Sequence, residues 1–204
     1  MSLILLKRSM SILSNTTDSN SVAVAVSLGS SLPYLNRSSR EIVLAAMESL
    51  RLISIEAEAS SVYRSEPVDC PEGTGDFINA AMVLRLPSKT SASEFLAVLQ
   101  GIEADYGRQR SAEQNQARTL DIDIISFGNQ QLESSRLVLP HPRATQRRFV
   151  LAPLAEIHPE MVFPGQSETI AQLLALTLTL VKLVALLVQA DAANTTLLTV
   201  SRPA

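Results

Sequence analysis

The stretch Leu120–Phe127, LDIDIISF, constrains the fold more than any other part of the chain. Apolar and acidic residues alternate and then give way to an unbroken apolar run, the pattern of a strand that enters a core. Successive side chains on a strand point to opposite faces. Leu120, Ile122 and Ile124 therefore face inward, and Asp121 and Asp123 share the other face. Such a strand needs sheet neighbours and a covering layer.

The flanking sequence supplies both. Ser21–Leu28 (SVAVAVSL) reads as a buried strand ending at Gly29. Arg37–Leu52 carries Ile42, Val43, Ala46, Met47 and Leu50 at helical spacing. Ile53–Tyr63 alternates weakly and reads as a strand, and residues 65–76, with two prolines and two glycines, read as a loop. Phe77–Leu86 is strand-like. Ser91 or Ser93 caps a helix that runs through Tyr106 with Phe95, Leu96, Leu99 and Ile102 inward. A Pro/Arg-rich loop occupies 140–148, and Phe149–Leu154 leads into the last part. The order β-α-β-β-α-β predicts an α+β, ferredoxin-like sandwich, an antiparallel sheet with helices packed on it.

Three regions follow: an extension over residues 1–20, a domain over 21–166, and a tail over 167–204 carrying an appended hydrophobic helix. Residues 1–20 hold a short apolar patch, Lys7 and Arg8, with no acid before Asp18. They read either as a weak organelle-targeting presequence or as a plain extension, so the expected location is cytoplasmic with targeting left open. The apolar run is too short for a secretory signal and no A-x-A site follows it. In residues 170–190 Thr, Lys and Gln interrupt the roughly 20 apolar residues that a membrane span needs. A helix docked on the domain, or on a second subunit in self-association, is expected instead.

Charge excludes other classes. There are 17 cationic and 20 acidic residues, a net charge of −3, so a bulk nucleic-acid binder is not expected. A single cysteine, Cys70, and two histidines exclude an intrachain disulfide framework and a Cys- or His-rich metal site.

Three constellations bear chemistry. The Asp121/Asp123 pair gathers two carboxylates that raise each other's pKa unless a cation lies between them. Hard oxygen donors of this kind suit Mg²⁺, which also binds phosphate; the bland reading is a solvated face of an edge strand. Seven of the 17 cations, all arginine, fall within residues 108–148: Arg108, Arg110, Arg118, Arg136, Arg143, Arg147 and Arg148. Guanidinium groups beside a diacid are what phosphoryl transfer uses. No G-x-x-x-x-G-K-[ST] and no kinase glycine-rich loop occurs, so any nucleotide site is of another type. The second constellation is His141, held between Pro140 and Pro142, which reads as a hydrogen-bond donor to phosphate or as a turn histidine. His158 has no charged company in the sequence and reads as structural. The third is Phe77-x-Asn79 with Phe149 downstream, which by themselves read as a core phenylalanine and a strand-end asparagine, the other reading being an aromatic face and an amide that suit a flat heterocycle.

In order and spacing these segments resemble the 6-hydroxymethyl-7,8-dihydropterin pyrophosphokinase (HPPK) family of folate biosynthesis. The resemblance runs over residues 22–165 and rests on Leu28-Gly29-Ser30, Ser61-Val62-Tyr63-Arg64-Ser65-Glu66-Pro67, Phe77-Ile78-Asn79-Ala80-Ala81, Gly107-Arg108-Gln109-Arg110, Arg118-Thr119-Leu120-Asp121-Ile122-Asp123, Leu139-Pro140-His141-Pro142 and Arg148-Phe149-Val150-Leu151. It implies a diphosphotransferase that moves pyrophosphate from ATP, its co-substrate, to the pterin hydroxymethyl group and releases AMP. Asp121 and Asp123 would hold two Mg²⁺ ions, Arg108 and Arg118 would close over the phosphates, and Gln100, Glu103, Arg110, Ile124, Arg136, His141 and Arg147 would bind ATP. The pterin would lie between Phe77 and Phe149, read by Asn79 and by backbone from Ser65 to Val68.

Two departures stand out. Residues 111–117, SAEQNQA, lack the tryptophan and glycine usual there, with Asn115 and Gln116 in their places, and Ser31 replaces an asparagine. The expected consequence is looser closure that lowers rate more than binding. The alternative is a weakened relative that binds pterin or nucleotide, and a regulatory or RNA-binding ferredoxin-like module is a remoter one.

Overall fold

The computed structural model describes residues 20–66, 75–108 and 117–178. Strand β1 (Ser21–Ser30) is the centre of the sheet, antiparallel both to β4 (Phe77–Pro87) and to β5 (Asp121–Phe127). Two short strands, β2 (Glu56–Ala59) and β3 (Tyr63–Ser65), pair one after the other along the far edge of β4. The sheet order β2-β4-β1-β5 is the one a split β-α-β-β-α-β unit produces. The weak alternation of Ile53–Tyr63 is therefore two strands and not one. The chain breaks at Ser60, where the Ser60 N–H donates to Ala81 O (2.9 Å) and the Ala81 N–H donates to Ser60 Oγ (3.0 Å).

Helices α1 (Ser39–Leu52) and α2 (Ala92–Asp105) start at reciprocal capping boxes, Ser38 with Glu41 and Ser91 with Glu94. Ser91 wins over Ser93 because a glutamate stands three residues after it. Both helices cover one sheet face, where Val24, Val26, Leu28, Ile42, Leu50, Leu84, Phe95 and Leu99 are buried together. Each large side chain so buried contributes roughly 1.5–3 kcal/mol. Of the four α2 residues expected inward, Phe95 and Leu99 are buried, whereas Leu96 and Ile102 are half-buried and Glu103 is buried instead.

The opposite face is covered by α3 (Arg148–Ile157), over Ala25, Ala81, Ile125, Leu151 and Leu154. Residues 170–178 are helical, and Ile170 and Leu173 are buried in the same cluster. The remainder of the expected C-terminal helix lies outside the described residues, as does the extension over residues 1–19. The change from alternating to continuous apolar residues in β5 has a local cause. The register against β1 shifts between Ala25 and Val26, so one extra β5 residue is accommodated and both sheet faces receive apolar side chains. After β5 come a two-residue hairpin, β6 (Leu132–Glu133) with β7 (Val138–Leu139), and a 3-10 turn at Ala144–Gln146. Among the described residues no helix is long and apolar enough to cross a membrane.

Candidate functional site

Strand register builds the site. Tyr63 pairs with Asn79, Asn79 with Gly29, and Gly29 with Asp121, so one row crosses four strands. Directly paired residues share a face, which puts Asn79 and Asp121 on the same side of the sheet about 10 Å apart, two strand spacings. Gly29 lies between them. Its φ is not positive, and a Cβ there would meet only Asn79 Oδ1, at 3.4 Å. The backbone does not require glycine, so the bare strand leaves open the space between the amide and the acid. A glycine inside a strand commonly marks close approach by a ligand.

At one end of this row the acids and arginines gather. Arg108 lies at the C-terminal end of α2 and bridges the carboxylates of Glu103 and Asp121 through Nη1, which also donates to Leu120 O at 3.2 Å. Arg118 Nη1 donates to the other Asp121 oxygen at 2.6 Å. Glu103 accepts from the Ile122 N–H at 2.8 Å, which secures α2 to the edge strand β5. Both oxygens of Asp121 are thus neutralised by guanidinium groups. Arg118 itself is held by its backbone: its N–H donates to Ser31 Oγ (3.1 Å), and its carbonyl accepts from the N–H groups of Ser31 (3.0 Å) and Leu32 (3.2 Å). Ser31, one of the two sequence departures, is therefore in contact with the arginine.

Asp123 stands one pleat further along the same face. Burial, followed by the charge of Asp121, pushes its pKa from 3.8 up to about 7, against the pull of Arg147 and Arg108. Its side chain keeps 41% of its surface open, so the cleft reaches it. His141 Nε2 lies 3.9 Å from Asp123 Oδ2, and His141 Nδ1 accepts from the Arg143 N–H at 3.2 Å. Burial, then Arg147 and Arg143, lower the pKa of His141 and keep the ring neutral. The His141 N–H is tied to Ile125 O (2.9 Å), after a cis Leu139–Pro140 peptide.

A cleft of about 340 Å³ runs along the β5 edge between α2 and the β6–β7 hairpin. Gln100, Glu103, Asp123, Ile124, Arg136 and His141 line it, and Arg108 and Asp121 close one end. The hairpin wall, Ser134 to Val138, gave no signal in the sequence beyond Arg136. Of the residues expected to meet phosphate, Arg147 lies apart from this wall. Its guanidinium sits 5.3 Å from the centroid of the Phe149 ring while its charge acts on Asp123. Arg110 lies outside the described residues, as do Val68 and the 111–116 part of the altered segment.

At the other end of the row, Asn79 is buried and donates through Nδ2 to Ser65 Oγ at 2.9 Å. Phe77, on the same face of β4, pairs with Ser65, and Phe149 extends from the first turn of α3. Both rings are half-buried. His158, expected to lack charged company, instead lies 3.2 Å from Glu58 Oε2, because β2 passes beside the end of α3. Among the described residues no group of three or more His, Cys, Asp or Glu stands close enough to hold a metal ion. Asp121 and Asp123 can each offer a carboxylate to a cation that completes its shell with water and substrate oxygens.

Comparison with known proteins bears on this arrangement. The family model for 7,8-dihydro-6-hydroxymethylpterin-pyrophosphokinase (HPPK) matches residues 25–159. A 2-amino-4-hydroxy-6-hydroxymethyldihydropteridine pyrophosphokinase from Synechocystis is 44% identical over 131 residues, which is 63% of this chain and 65% of that protein. Proteins of the same name from Pseudomonas aeruginosa and Bacillus subtilis are 37% and 39% identical over 144 and 100 residues. Those matches cover 69% and 49% of this chain, and 83% and 58% of the two relatives. The chain thus spans less than two thirds of the Synechocystis and Bacillus relatives. Among solved structures, Plasmodium falciparum HPPK-DHPS superposes with a TM-score of 0.56 at 15% identity, over 76% of this chain and 44% of that one, a likeness of fold alone.

Proposed function

This chain belongs to the HPPK family, and on that premise we propose that it transfers pyrophosphate from ATP to 6-hydroxymethyl-7,8-dihydropterin, giving the pterin diphosphate and AMP. The observation that carries the reading is the row Asn79–Gly29–Asp121, an amide reader and a charged phosphate end on one face with open strand between them. A heterocycle seated at Phe77, Asn79 and Phe149 projects its hydroxymethyl arm over Gly29 toward the acids. The ATP lies along the β5 edge with its β-phosphorus at that end.

Transfer of this kind asks for alignment and charge neutralisation more than for covalent participation. The pterin oxygen forms its bond to the β-phosphorus as the bond from that phosphorus to the AMP oxygen breaks. Asp121 and Asp123 would hold Mg²⁺, two ions of it, which would supply charge neutralisation to the phosphate oxygens. Arg108 and Arg118, which neutralise Asp121 in the unliganded protein, turn to phosphate once the acid is otherwise engaged. The neutral His141 and the Arg136 on the cleft wall orient the polyphosphate, with Arg110 as a further cation. Arg147 bridges the two ends, resting on Phe149 and within the field of Asp123. Gln100 and Ile124 contact the adenosine part, and Ser65 holds Asn79 with its amide turned to the pterin edge, beside backbone at Val68.

The catalytic unit is assigned to residues 21–166, the location to the cytoplasm, and self-association to the tail over residues 167–204. The test of the activity is AMP release from MgATP with and without the pterin. Pterin-dependent AMP supports the reading; saturable binding of both ligands without AMP favours the weakened binder; neither removes the proposal.

A further inference from the structure

Glu156 is on α3, outside the cleft wall, and its carboxylate accepts from Ser61, just before β3, and from Tyr63, the first residue of β3. The Ser61 N–H donates to both oxygens at 3.1 and 3.0 Å, Ser61 Oγ donates to Oε1 at 2.7 Å, and the Tyr63 hydroxyl donates to Oε2 at 2.9 Å. Among the described residues the three residues of β3 pair only with β4, so the strand has a ladder on one side there. What it carries matters to the site. Tyr63 is the register partner of Asn79, and Ser65 is the partner of Phe77 and the acceptor for the Asn79 amide. Phe149 stands seven residues before Glu156 on the same helix, two turns away and so on the same side.

We propose that Glu156 is a positioning residue for the pterin slot: by gripping Ser61 and Tyr63 it fixes β3 against α3, and thereby sets the spacing between Phe77, Asn79 and Ser65 on one wall and Phe149 on the other. The proposal rests on the pterin reading of those residues. The carboxylate is the form that works, because all the groups it holds are donors. Those hydrogen bonds, first that of the Ser61 hydroxyl, keep its pKa below the ordinary glutamate value.

The experiment compares wild type, Glu156→Ala, Glu156→Gln and Tyr63→Phe. Dissociation constants are measured separately for the pterin and for a magnesium complex of a non-hydrolysable ATP analogue, alongside hydrogen exchange of the β3 amides without ligand. Glu156→Ala is expected to weaken pterin about tenfold, the loss of roughly one charge-assisted hydrogen bond, and to leave the nucleotide within twofold. Exchange at residues 63–65 should rise. Glu156→Gln, whose amide oxygen still accepts but whose NH2 faces donors, recovers only part of the affinity, and Tyr63→Phe falls between Glu156→Ala and wild type. Pterin affinity within twofold of wild type in Glu156→Ala, or equal weakening of pterin and nucleotide, overturns the proposal and leaves the functional reading standing. A wild-type protein that binds no pterin removes the functional reading, and this proposal with it.

Discussion

The two ends of the row on the sheet are built by opposite means. The phosphate end takes both acids and Arg118 from one continuous segment, Arg118 to Asp123, joined to the end of α2 through Glu103 and Arg108. It is dense in charge and already neutralised without ligand. The heterocycle end takes single residues from β3, β4 and α3, with half-buried rings and an amide–hydroxyl hydrogen bond at the slot and the Glu156 carboxylate behind it. The contrast teaches that a charged subsite can be specified locally, because Coulomb attraction tolerates loose geometry. A flat aromatic slot needs walls fixed at one spacing, which only tertiary packing supplies.

That difference predicts how each end breaks. The largest effect is expected for Asp121→Asn, which leaves Arg108 and Arg118 facing a neutral amide and halves the diacid. AMP formation at saturating substrates should fall about 10³-fold, in line with loss of a principal electrostatic group; a drop under tenfold would detach Asp121 from the chemistry. Next comes pH. With Asp123 raised to about 7, Mn²⁺ affinity of the nucleotide-loaded protein should decline about tenfold per unit as pH falls below that value, and Asp123→Asn should flatten the dependence. For folding the sign is reversed. A carboxyl whose folded pKa exceeds its unfolded value costs stability progressively as pH rises from 3.8 toward about 7. Chemical denaturation of the unliganded protein across that window should therefore show Asp123→Asn gaining on wild type as pH rises.

Glu103→Ala tests the join between the ends of α2 and β5. It removes one of the two carboxylates on Arg108, which keeps Asp121, and leaves the Ile122 N–H without its acceptor in a buried setting, and the expected loss is about 2 kcal/mol in urea unfolding. The smallest effect is expected for Ser31→Ala, which removes the side-chain acceptor for the Arg118 N–H but leaves both backbone bonds to the Arg118 carbonyl. About 1 kcal/mol should appear as a few-fold fall in turnover with nucleotide affinity unchanged.

The same contrast governs what the sequence reveals. The β5 alternation, a helix start at Ser91 or Ser93, and Arg108 and Arg118 near the diacid are local signals, and the structure has the strand, a cap at Ser91 and both arginines on Asp121. The burial of Glu103 was not expected, although it continues the Phe95, Leu99 stripe at helical spacing as an acid on an apolar face. The split of β2 from β3 was not expected either, because what breaks the strand is a hydrogen bond from Ser60 to Ala81, twenty-one residues away. The role of Gly29 depends on register with two other strands, and Glu156 acts on residues ninety-five positions earlier. No window along the chain contains either relation.

The most direct measurement is a crossed one, with pterin and ATP-analogue dissociation constants determined on Asn79→Ala and Asp121→Asn. If the row holds two separately built subsites, Asn79→Ala weakens pterin at least tenfold and leaves the magnesium nucleotide within twofold, and Asp121→Asn does the reverse. If both variants weaken both ligands to the same extent, the face is a single undivided site and the account is wrong.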